Sequence, residues 1–223
     1  PAQEGGEHGQ LQAARQLGVD YVEAAVEGFE TDDAKVSGVR LSNGQRMSCD
    51  FCVLAAGALS GRLVASLGIE LPVAPKKRTV FCFKTPFRLD NFPMLFDSSG
   101  IWVRPEGDGY IGGIQPSAAD DADADGDFEP HHHLFEEVFW PLLAARIPAM
   151  EGLRLNRPWA GHYDVNTLDH NGVVGAHDEL GNLIMATGFP GHGVMHAPAG
   201  GRRVAELITT GAVRSSDLTA LCW

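Results

Sequence analysis

The sequence predicts an α/β fold that is interrupted by an inserted sheet, mixed and largely antiparallel. Two outer segments, at about 10–70 and 167–215, combine apolar strand-like runs with helical patterns, and the middle segment, 71–166, has short strands separated by turns and one helix. Continuous apolar runs are typical of strands buried on both faces, and helices beside them indicate an α/β layer. We therefore expect one α/β domain formed by both outer segments, with the middle segment as an inserted domain.

The first outer segment predicts a helix, a hairpin, a buried strand and a second helix. In order, these are a helix over 8–17, a strand over 21–29, strands over 35–41 and 46–48, a strand over 51–55 and a helix over 58–67. Ser42-Asn43-Gly44 is a strong hairpin turn signal between the third and fourth of these. In the second helix Leu59, Leu63 and Leu67 recur at a spacing of four, which predicts a buried stripe.

The middle segment predicts an antiparallel sheet with one helix. Strand patterns occur at 78–84, 94–96, 101–104, 109–114 and 154–163. An acidic stretch, 118–130, follows the fourth strand and is interpreted as a solvated loop that caps the next helix. That helix is expected over 134–147, with Leu134, Val138, Leu142 and Ala145 facing inward.

The last outer segment centres on a glycine-rich turn. Strands are expected over 173–175 and 183–186, and a helix over 194–211 with Val204, Leu207 and Ile208 on one stripe. Between them lies Gly188-Phe189-Pro190-Gly191-His192-Gly193, which we call the glycine turn. A strand, a glycine turn and a helix present bare N–H groups and a positive helix end to a negative ligand, and glycine lets a flat ligand approach closely. A tight connection without a ligand is the alternative.

Composition excludes several classes of function. The 223 residues carry a net charge of −12, with a pI near 5.1. Nucleic acids and anionic membrane surfaces attract basic faces, so neither is an expected partner. No apolar run reaches the roughly 20 residues of a membrane span, and no signal peptide pattern is visible. Four cysteines without a secretory signal favour a reducing compartment, so a cytoplasmic location is expected.

Three motifs resemble metal or redox sites, and for each we favour a structural role. Cys49 and Cys52 form a C-x-x-C, but Cys52 begins an apolar strand and no second pair exists. Residues 121–127 begin like a calcium loop, yet the twelfth position is His132 instead of glutamate. The three histidines 131–133 are adjacent, so a shared ion is geometrically awkward. We expect no metal.

The stretch Trp159-Ala160-Gly161-His162-Tyr163-Asp164 places polar aromatic side chains near the end of a strand. In a pocket it would supply a hydroxyl group, an imidazole and an aromatic wall. Packing with partial exposure explains the same pattern.

Five motifs in this order resemble the D-amino-acid oxidase type of FAD-dependent oxidoreductases, which include sarcosine oxidase, glycine oxidase and dimethylglycine dehydrogenase. They are Ala55-Ala56-Gly57-Ala58-Leu59-Ser60, Leu71-Pro72-Val73-Ala74-Pro75, Trp159-Ala160-Gly161, Asp169-His170-Asn171-Gly172-Val173-Val174-Gly175, and Ala186 through the glycine turn to Pro198. The resemblance runs from about residue 10 to the end and is closest to the branch of sarcosine and dimethylglycine dehydrogenases and FAD-dependent oxidoreductase domain proteins. It implies an incomplete Rossmann-like FAD-binding domain, formed by 10–70 and 167–215, and a substrate domain, 71–166.

The resemblance assigns cofactor-binding roles to both outer segments. Val26 would meet the adenine edge through its backbone, and Ala55, Ala56 and Gly57 would run beside the dinucleotide. Gly188 and Phe189 would lead to Gly191, His192, Gly193 and Val194, which would lie under the pyrimidine end of the flavin. A helix N-terminus stabilises the negative charge of a reduced flavin by about 1 kcal/mol or more.

The resemblance also points to the substrate side. Ile111 stands where the oxidase branch has an oxygen-activating lysine, which favours a dehydrogenase. Met195 stands where that branch has a lysine for the substrate carboxylate. Tyr163 aligns with a substrate-side tyrosine, and Arg104 could pair with an anionic substrate. No cysteine for a covalent flavin is present near Gly161, so FAD is expected to be non-covalent, and no catalytic base is identified.

The sequence also departs from the family. Three features are absent: the N-terminal strand, the G-x-G-x-x-G turn that follows it and the acidic residue for the adenosine ribose. We therefore expect this chain to be the C-terminal part of a longer enzyme. By itself, the chain is expected to bind FAD weakly or not at all. The implied function is oxidation of an amine or amino acid at its C–N bond, with an electron-acceptor protein as a candidate partner. A non-catalytic assembly or scaffold protein on the same fold is the alternative.

Overall fold

Five α-helices and three sheets form the described part of the chain. The computed structural model describes residues 2–86 and 88–214. The helices are α1 (Ala2–Gln16), α2 (Ser60–Ala65), α3 (His132–Leu134), α4 (Trp140–Arg146) and α5 (Gly193–Thr210). The strands are β1 (Val26–Asp32), β2 (Lys35–Leu41), β3 (Arg46–Ser48), β4 (Cys52–Leu54), β5 (Val73–Lys84), β6 (Leu95–Phe96), β7 (Ile101–Glu106), β8 (Gly109–Ile114), β9 (Arg154–Asn166), β10 (Val173–Ala176) and β11 (Leu183–Thr187). No helix in the described residues has the length and hydropathy needed to cross a bilayer.

Two three-stranded sheets come from the outer segments. The first has the order β1-β2-β3 and includes the predicted hairpin, whose Gly44 has φ +82° and donates to the Leu41 carbonyl over 2.9 Å. The second has the order β10-β11-β4, with β11 parallel to β4 although about 130 residues separate them. Pairing of Ile184 with Val53 brings the two outer segments into one sheet, as the α/β pattern predicts.

Asn182 joins these two sheets through its side chain. Its amide oxygen accepts from Val36 N–H over 2.9 Å, and its nitrogen donates to the carbonyls of Val36 and Asp50 over 2.7 and 2.9 Å. Asn182 is only 6% exposed. Because buried polar groups that lose their partners cost free energy, these three bonds fix β2 against the start of β11.

We expect Asn182→Ala to lower the free energy of unfolding by about 3 kcal/mol, because it leaves three backbone groups without this partner. Urea unfolding followed by circular dichroism measures the change. Asn156→Ala is the matched control, since Asn156 is an exposed residue of β9 with no side-chain hydrogen bond to the described residues. Equal stability of the two variants would contradict the role of Asn182.

Strand β4 is less buried than its apolar sequence predicts. Val53 is 40% exposed and Phe51, just before the strand, is 43% exposed. Leu54 is 3% exposed and belongs to a hydrophobic cluster, whereas the adjacent Val53 points to the opposite face of β4, which stays partly exposed in the described part of the chain. The expectation that this strand is buried on both faces is therefore wrong for the described residues.

The middle segment forms a five-stranded antiparallel sheet with the order β6-β7-β8-β5-β9. One face carries the largest hydrophobic cluster, in which Phe81 and Phe83 of the sheet pack against Phe139, with ring centroids 5.2 and 5.8 Å away. Helices α3 and α4, with the residues between them, cover this face. The prediction of an antiparallel sheet is confirmed, while the assignment of domain boundaries stays a prediction.

Three predicted helices differ in detail. Helix α1 begins at Ala2, before the expected start at residue 8, and the second helix consists of a 3-10 turn, Gly57–Leu59, and the short α2. Leu59 is 53% exposed, so the expected stripe is wrong there. Between α3 and α4 the residues Phe135–Phe139 form a π-helical turn. Leu134 is buried as expected, and Val138 and Leu142 pack partly buried against the same cluster, but the wider turn adds Phe135, Phe139 and Leu143 to the buried side and leaves Ala145 exposed.

One stretch has the spacing G-x-G-x-x-G, from Gly107 to Gly112, but it forms a hairpin. Gly107 has φ +58° in the turn between β7 and β8, and Gly112 lies in β8 opposite Val103. A dinucleotide-binding turn needs a strand followed by a helix, so this match carries no phosphate-binding role.

Candidate functional site

The candidate site lies at one end of the strands of the β10-β11-β4 sheet. Strands β4 and β11 are parallel, so their carboxyl ends meet, and β4 leads into Ala55, Ala56 and Gly57 while β11 leads into the glycine turn. The Thr187 hydroxyl lies 3.3 Å from the Gly57 carbonyl oxygen, which brings the two connections into contact. Ligands of open α/β sheets bind outside the carboxyl ends of the strands. Two of the predicted cofactor-binding stretches are thus brought together.

Helix α5 begins at Gly193, directly after the glycine turn, so its N-terminus lies at this end of the sheet. In the described residues no backbone carbonyl accepts from the N–H groups of residues 191–194, whereas Met195 N–H already donates to the His192 carbonyl over 3.2 Å. His192 and His196 lie side by side, with their Nδ1 atoms 3.2 Å apart. Unpaired N–H groups at the start of an 18-residue helix form a site for an anion or for the electronegative edge of a flat ligand.

Tyr163 packs directly on the glycine turn. A methyl group at Gly191 would lie 2.4 Å from Tyr163 Cε2, so the ring fills the space that any other residue would need. Burial raises the pKa of the Tyr163 hydroxyl, and the Arg78 guanidinium, 5.7 Å from the ring centroid, lowers it in part. Tyr163 and the turn therefore share one site.

Asp164, the next residue of β9, contacts the same turn from the other side of the strand. Its Oδ2 accepts from Gly188 N–H over 2.8 Å and from Phe189 N–H over 3.2 Å. Sequence reasoning missed this role, because an aspartate beside a tyrosine in a strand carries no motif.

The register of the large sheet places three of the substrate-side residues on one face. Arg104 lies opposite Ile111, Ile111 opposite Cys82, and Cys82 opposite Arg157. Directly opposed residues share a face and alternate residues of one strand do so too, so Tyr163 lies on this face, six residues from Arg157 along β9. That separation is about 20 Å along the strand, so Arg104 and Tyr163 lie at different ends of the face.

The remaining predicted site residues are Arg104, Val194, Met195 and Val26. Arg104 forms an ion pair with Glu106. Met195 and Val194 are 74% and 60% exposed on the first turn of α5. Val26 begins β1 in the other three-stranded sheet, and its role at the adenine edge stays a prediction.

The acidic segment, 118–130, lies beside the first half of β5, on the side that β8 pairs with only from Phe81 onward, and it does not cap α3. Ala124 N–H donates to the Pro75 carbonyl over 2.8 Å, and α3 has no side-chain cap. Three consecutive cations of β5 bind its carboxylates, in the pairs Lys76–Asp123 (2.8 Å), Lys77–Asp127 (2.6 Å) and Arg78–Asp121 (2.6 Å). The expected cap is therefore wrong, since ion pairs hold the segment against the sheet, whereas the expected solvation is confirmed for Asp123, Asp125 and Asp127, whose side chains are more than half exposed. Arg78 was not identified from the sequence.

The remaining metal and redox motifs are the three histidines 131–133 and the pair Cys49 and Cys52. Within the described ranges no group of three or more His, Cys, Asp or Glu side chains could hold a metal ion. His131 Nδ1 is buried and has no hydrogen-bond partner among the described residues, and burial lowers the pKa of this imidazole. Burial and the neighbouring Cys49 raise the pKa of the Cys52 thiol to about 11, and burial also raises the pKa of Cys49.

We expect Cys52 to react slowly with iodoacetamide at neutral pH, because the thiolate is the nucleophile and a pKa of about 11 keeps the thiol protonated. The labelling rate should rise about tenfold per pH unit toward that pKa. Mass spectrometry of the Cys52 peptide measures it, and the same peptide from urea-unfolded chain is the control. Equal rates in folded and unfolded chain at neutral pH would contradict this protection.

A comparison with protein families identifies the family to which the chain belongs. The model described as "FAD dependent oxidoreductase" (DAO) matches residues 8–207, most of the chain. The chain belongs to the DAO family of FAD-dependent oxidoreductases. FAD is the cofactor of this family, and the exposed turn fits it, because in the described part of the chain no backbone carbonyl accepts from the four N–H groups of residues 191–194.

Individual relatives of this chain agree on the family. The chain is 45% identical over 191 residues to FAD-dependent oxidoreductase domain-containing protein 1 of Xenopus laevis, covering 79% of this chain and 38% of that protein. It is 29% identical to glycine oxidase of Pseudomonas putida, covering 82% and 48%. The crystal structure of L-proline dehydrogenase from P. horikoshii is similar with a TM-score of 0.76 and 30% identity, covering 90% and 54%. The chain thus spans about half or less of the length of these proteins.

Proposed function

We propose that this chain forms the flavin-facing turn and the substrate-facing sheet of an enzyme that oxidises an amine or amino acid at its C–N bond. The observation that carries the proposal is the contact between Tyr163 and Gly191, which joins the substrate-side sheet to the unpaired N–H groups at the start of α5. The names of two relatives support the substrate class, since one is a glycine oxidase and another a proline dehydrogenase.

In this proposal each part of the edge binds a part of the cofactor. Ala55, Ala56, Gly57 and Val26 line the dinucleotide, and Gly188 and Phe189 lead the chain to the ring. FAD, when bound, supplies a hydride acceptor. The N–H groups of Gly191, His192, Gly193 and Val194 then face the negative charge that develops at the pyrimidine edge, where the helix N-terminus stabilises it. No side chain forms a covalent bond to the cofactor.

The proposal favours a dehydrogenase that passes electrons to another acceptor. By the resemblance, Ile111 stands at the position of the oxidase lysine, and an apolar side chain there would supply no charge for oxygen activation. The uncharged Met195 side chain cannot form an ion pair with a carboxylate, and Arg104 already forms an ion pair with Glu106. A second cation, Arg78, lies nearer to Tyr163 but binds Asp121. An amine that does not depend on a strongly bound carboxylate is the substrate that fits these side chains.

The test uses the natural protein that contains this sequence. We expect it to release FAD when denatured, and its visible flavin absorbance to bleach anaerobically on addition of a secondary amine or amino acid. A colourless protein that releases no FAD would contradict the cofactor. A yellow protein that no amine reduces, and that co-purifies stably with a large protein complex, would favour the alternative of an assembly or scaffold protein.

A further inference from the structure

We propose that Asp164 is a positioning residue for the glycine turn, which occupies two of its N–H groups so that the next four remain available to the cofactor. The inference rests on the proposed function of this turn as a flavin site. Its basis is the side chain's contacts with the glycine turn and with Thr187 at the end of β11.

The carboxylate of Asp164 lies at the centre of a polar network. Oδ2 takes both the Gly188 and Phe189 N–H bonds, at 2.8 and 3.2 Å, and lies 3.5 Å from the Thr187 hydroxyl. The Thr187 hydroxyl in turn lies 2.8 Å from the Ser60 hydroxyl. Thr187 and Ser60 are 1% and 0% exposed. The network therefore joins β9, the end of β11 and the first residue of α2.

Two consecutive N–H groups that point to one oxygen form an anion-binding concavity. Gly188 has φ +79°, which turns its N–H and that of Phe189 to the same side. Without Asp164 this concavity would be open to a solvent anion or to the ligand itself. With Asp164 in place, the first N–H groups of the turn that have no carbonyl partner among the described residues are those of residues 191–194.

Adjacent residues of a strand point to opposite faces, so β9 holds the turn in two ways. Tyr163 packs on Gly191, and Asp164 binds the N–H groups of Gly188 and Phe189. The two contacts enclose Pro190 between them and fix the direction in which α5 begins. A change at Asp164 is therefore expected to act on the cofactor through the turn, without direct contact.

The hydrogen bonds that Asp164 accepts can be tested separately from its negative charge. Because a single oxygen accepts both N–H groups, the one carbonyl oxygen of an asparagine can replace it, whereas alanine supplies no acceptor. If Asp164 acts by position, Asp164→Asn restores what Asp164→Ala loses.

The experiment measures FAD affinity and backbone protection in the natural protein that contains this sequence. We expect Asp164→Ala to weaken FAD binding at least tenfold by fluorescence titration and to alter the visible flavin spectrum, while Asp164→Asn stays within about threefold with the original spectrum. Without FAD, hydrogen exchange of the peptide spanning 186–190 should lose protection in Asp164→Ala only. Asp178→Ala is the control, an exposed aspartate with no side-chain bond to the described residues.

The outcomes are distinguishable. An unmodified protein that binds no FAD would contradict the proposed function, whatever the exchange data show. FAD binding that Asp164→Ala leaves unchanged would overturn only the role of Asp164. Failure of Asp164→Asn to recover FAD affinity would also overturn it, because charge would then matter more than position.

Discussion

Gly191→Ala is expected to weaken FAD binding by at least a hundredfold in the natural protein that contains this sequence. Gly191 has φ +79°, a conformation that costs an alanine roughly 1–2 kcal/mol, and the added methyl group would lie 2.4 Å from Tyr163 Cε2 and 2.8 Å from its hydroxyl oxygen. The turn or the ring must move, and either movement displaces the N–H groups of residues 191–194. Equilibrium titration of FAD by fluorescence measures the loss.

Two further variants make this result specific. Gly181→Ala is the matched control, because a methyl group there meets nothing within 4 Å and the residue does not have a positive φ. Gly191→Ala combined with Tyr163→Ala removes the clash but keeps the strain, so it should bind FAD more tightly than the sum of the single changes predicts. Unchanged affinity in Gly191→Ala would show that the turn does not approach the cofactor.

Elements whose signal lies within a few adjacent residues could be predicted from the sequence. The hairpin at Ser42-Asn43-Gly44 and helix α5 lie within one or two residues of the expected ends. Both depend on local chemistry, a glycine with positive φ and a period of apolar side chains. The glycine turn was recognised for the same reason, since its glycines have a backbone role that is visible in the sequence.

Contacts between distant parts of the chain could not be predicted. Asp164 and the amides it binds are 24 and 25 residues apart, and Arg78 and Asp121 are 43 apart. A carboxylate that caps a remote turn has the same local pattern as a solvated one. The exposed face of Val53 and the π-helical turn also depend on which elements pack together, and no period in the sequence encodes that.

Phe139→Ala is expected to lower the free energy of unfolding by about 3–5 kcal/mol, the largest stability effect we predict. Phe139 is fully buried and packs on Phe81, Phe83 and Phe135, with centroid distances from 5.2 to 6.1 Å. Its ring also lies against Gly112, where a methyl group would be 2.6 Å from Cζ, so the sheet is shaped around this side chain. Urea unfolding monitored by tryptophan fluorescence measures the loss.

The control is Phe96→Ala, because Phe96 is 73% exposed on the edge strand and its removal should change stability by less than about 1 kcal/mol. Phe139→Leu should recover part of the loss, since it restores apolar volume but not the aromatic contacts. The core around Phe139 lies on the face of the sheet opposite Tyr163, so a variant that remains folded should keep its FAD affinity. A folded Phe139→Leu protein that loses FAD would show that packing on the helix-covered face also sets the position of Tyr163 on the other.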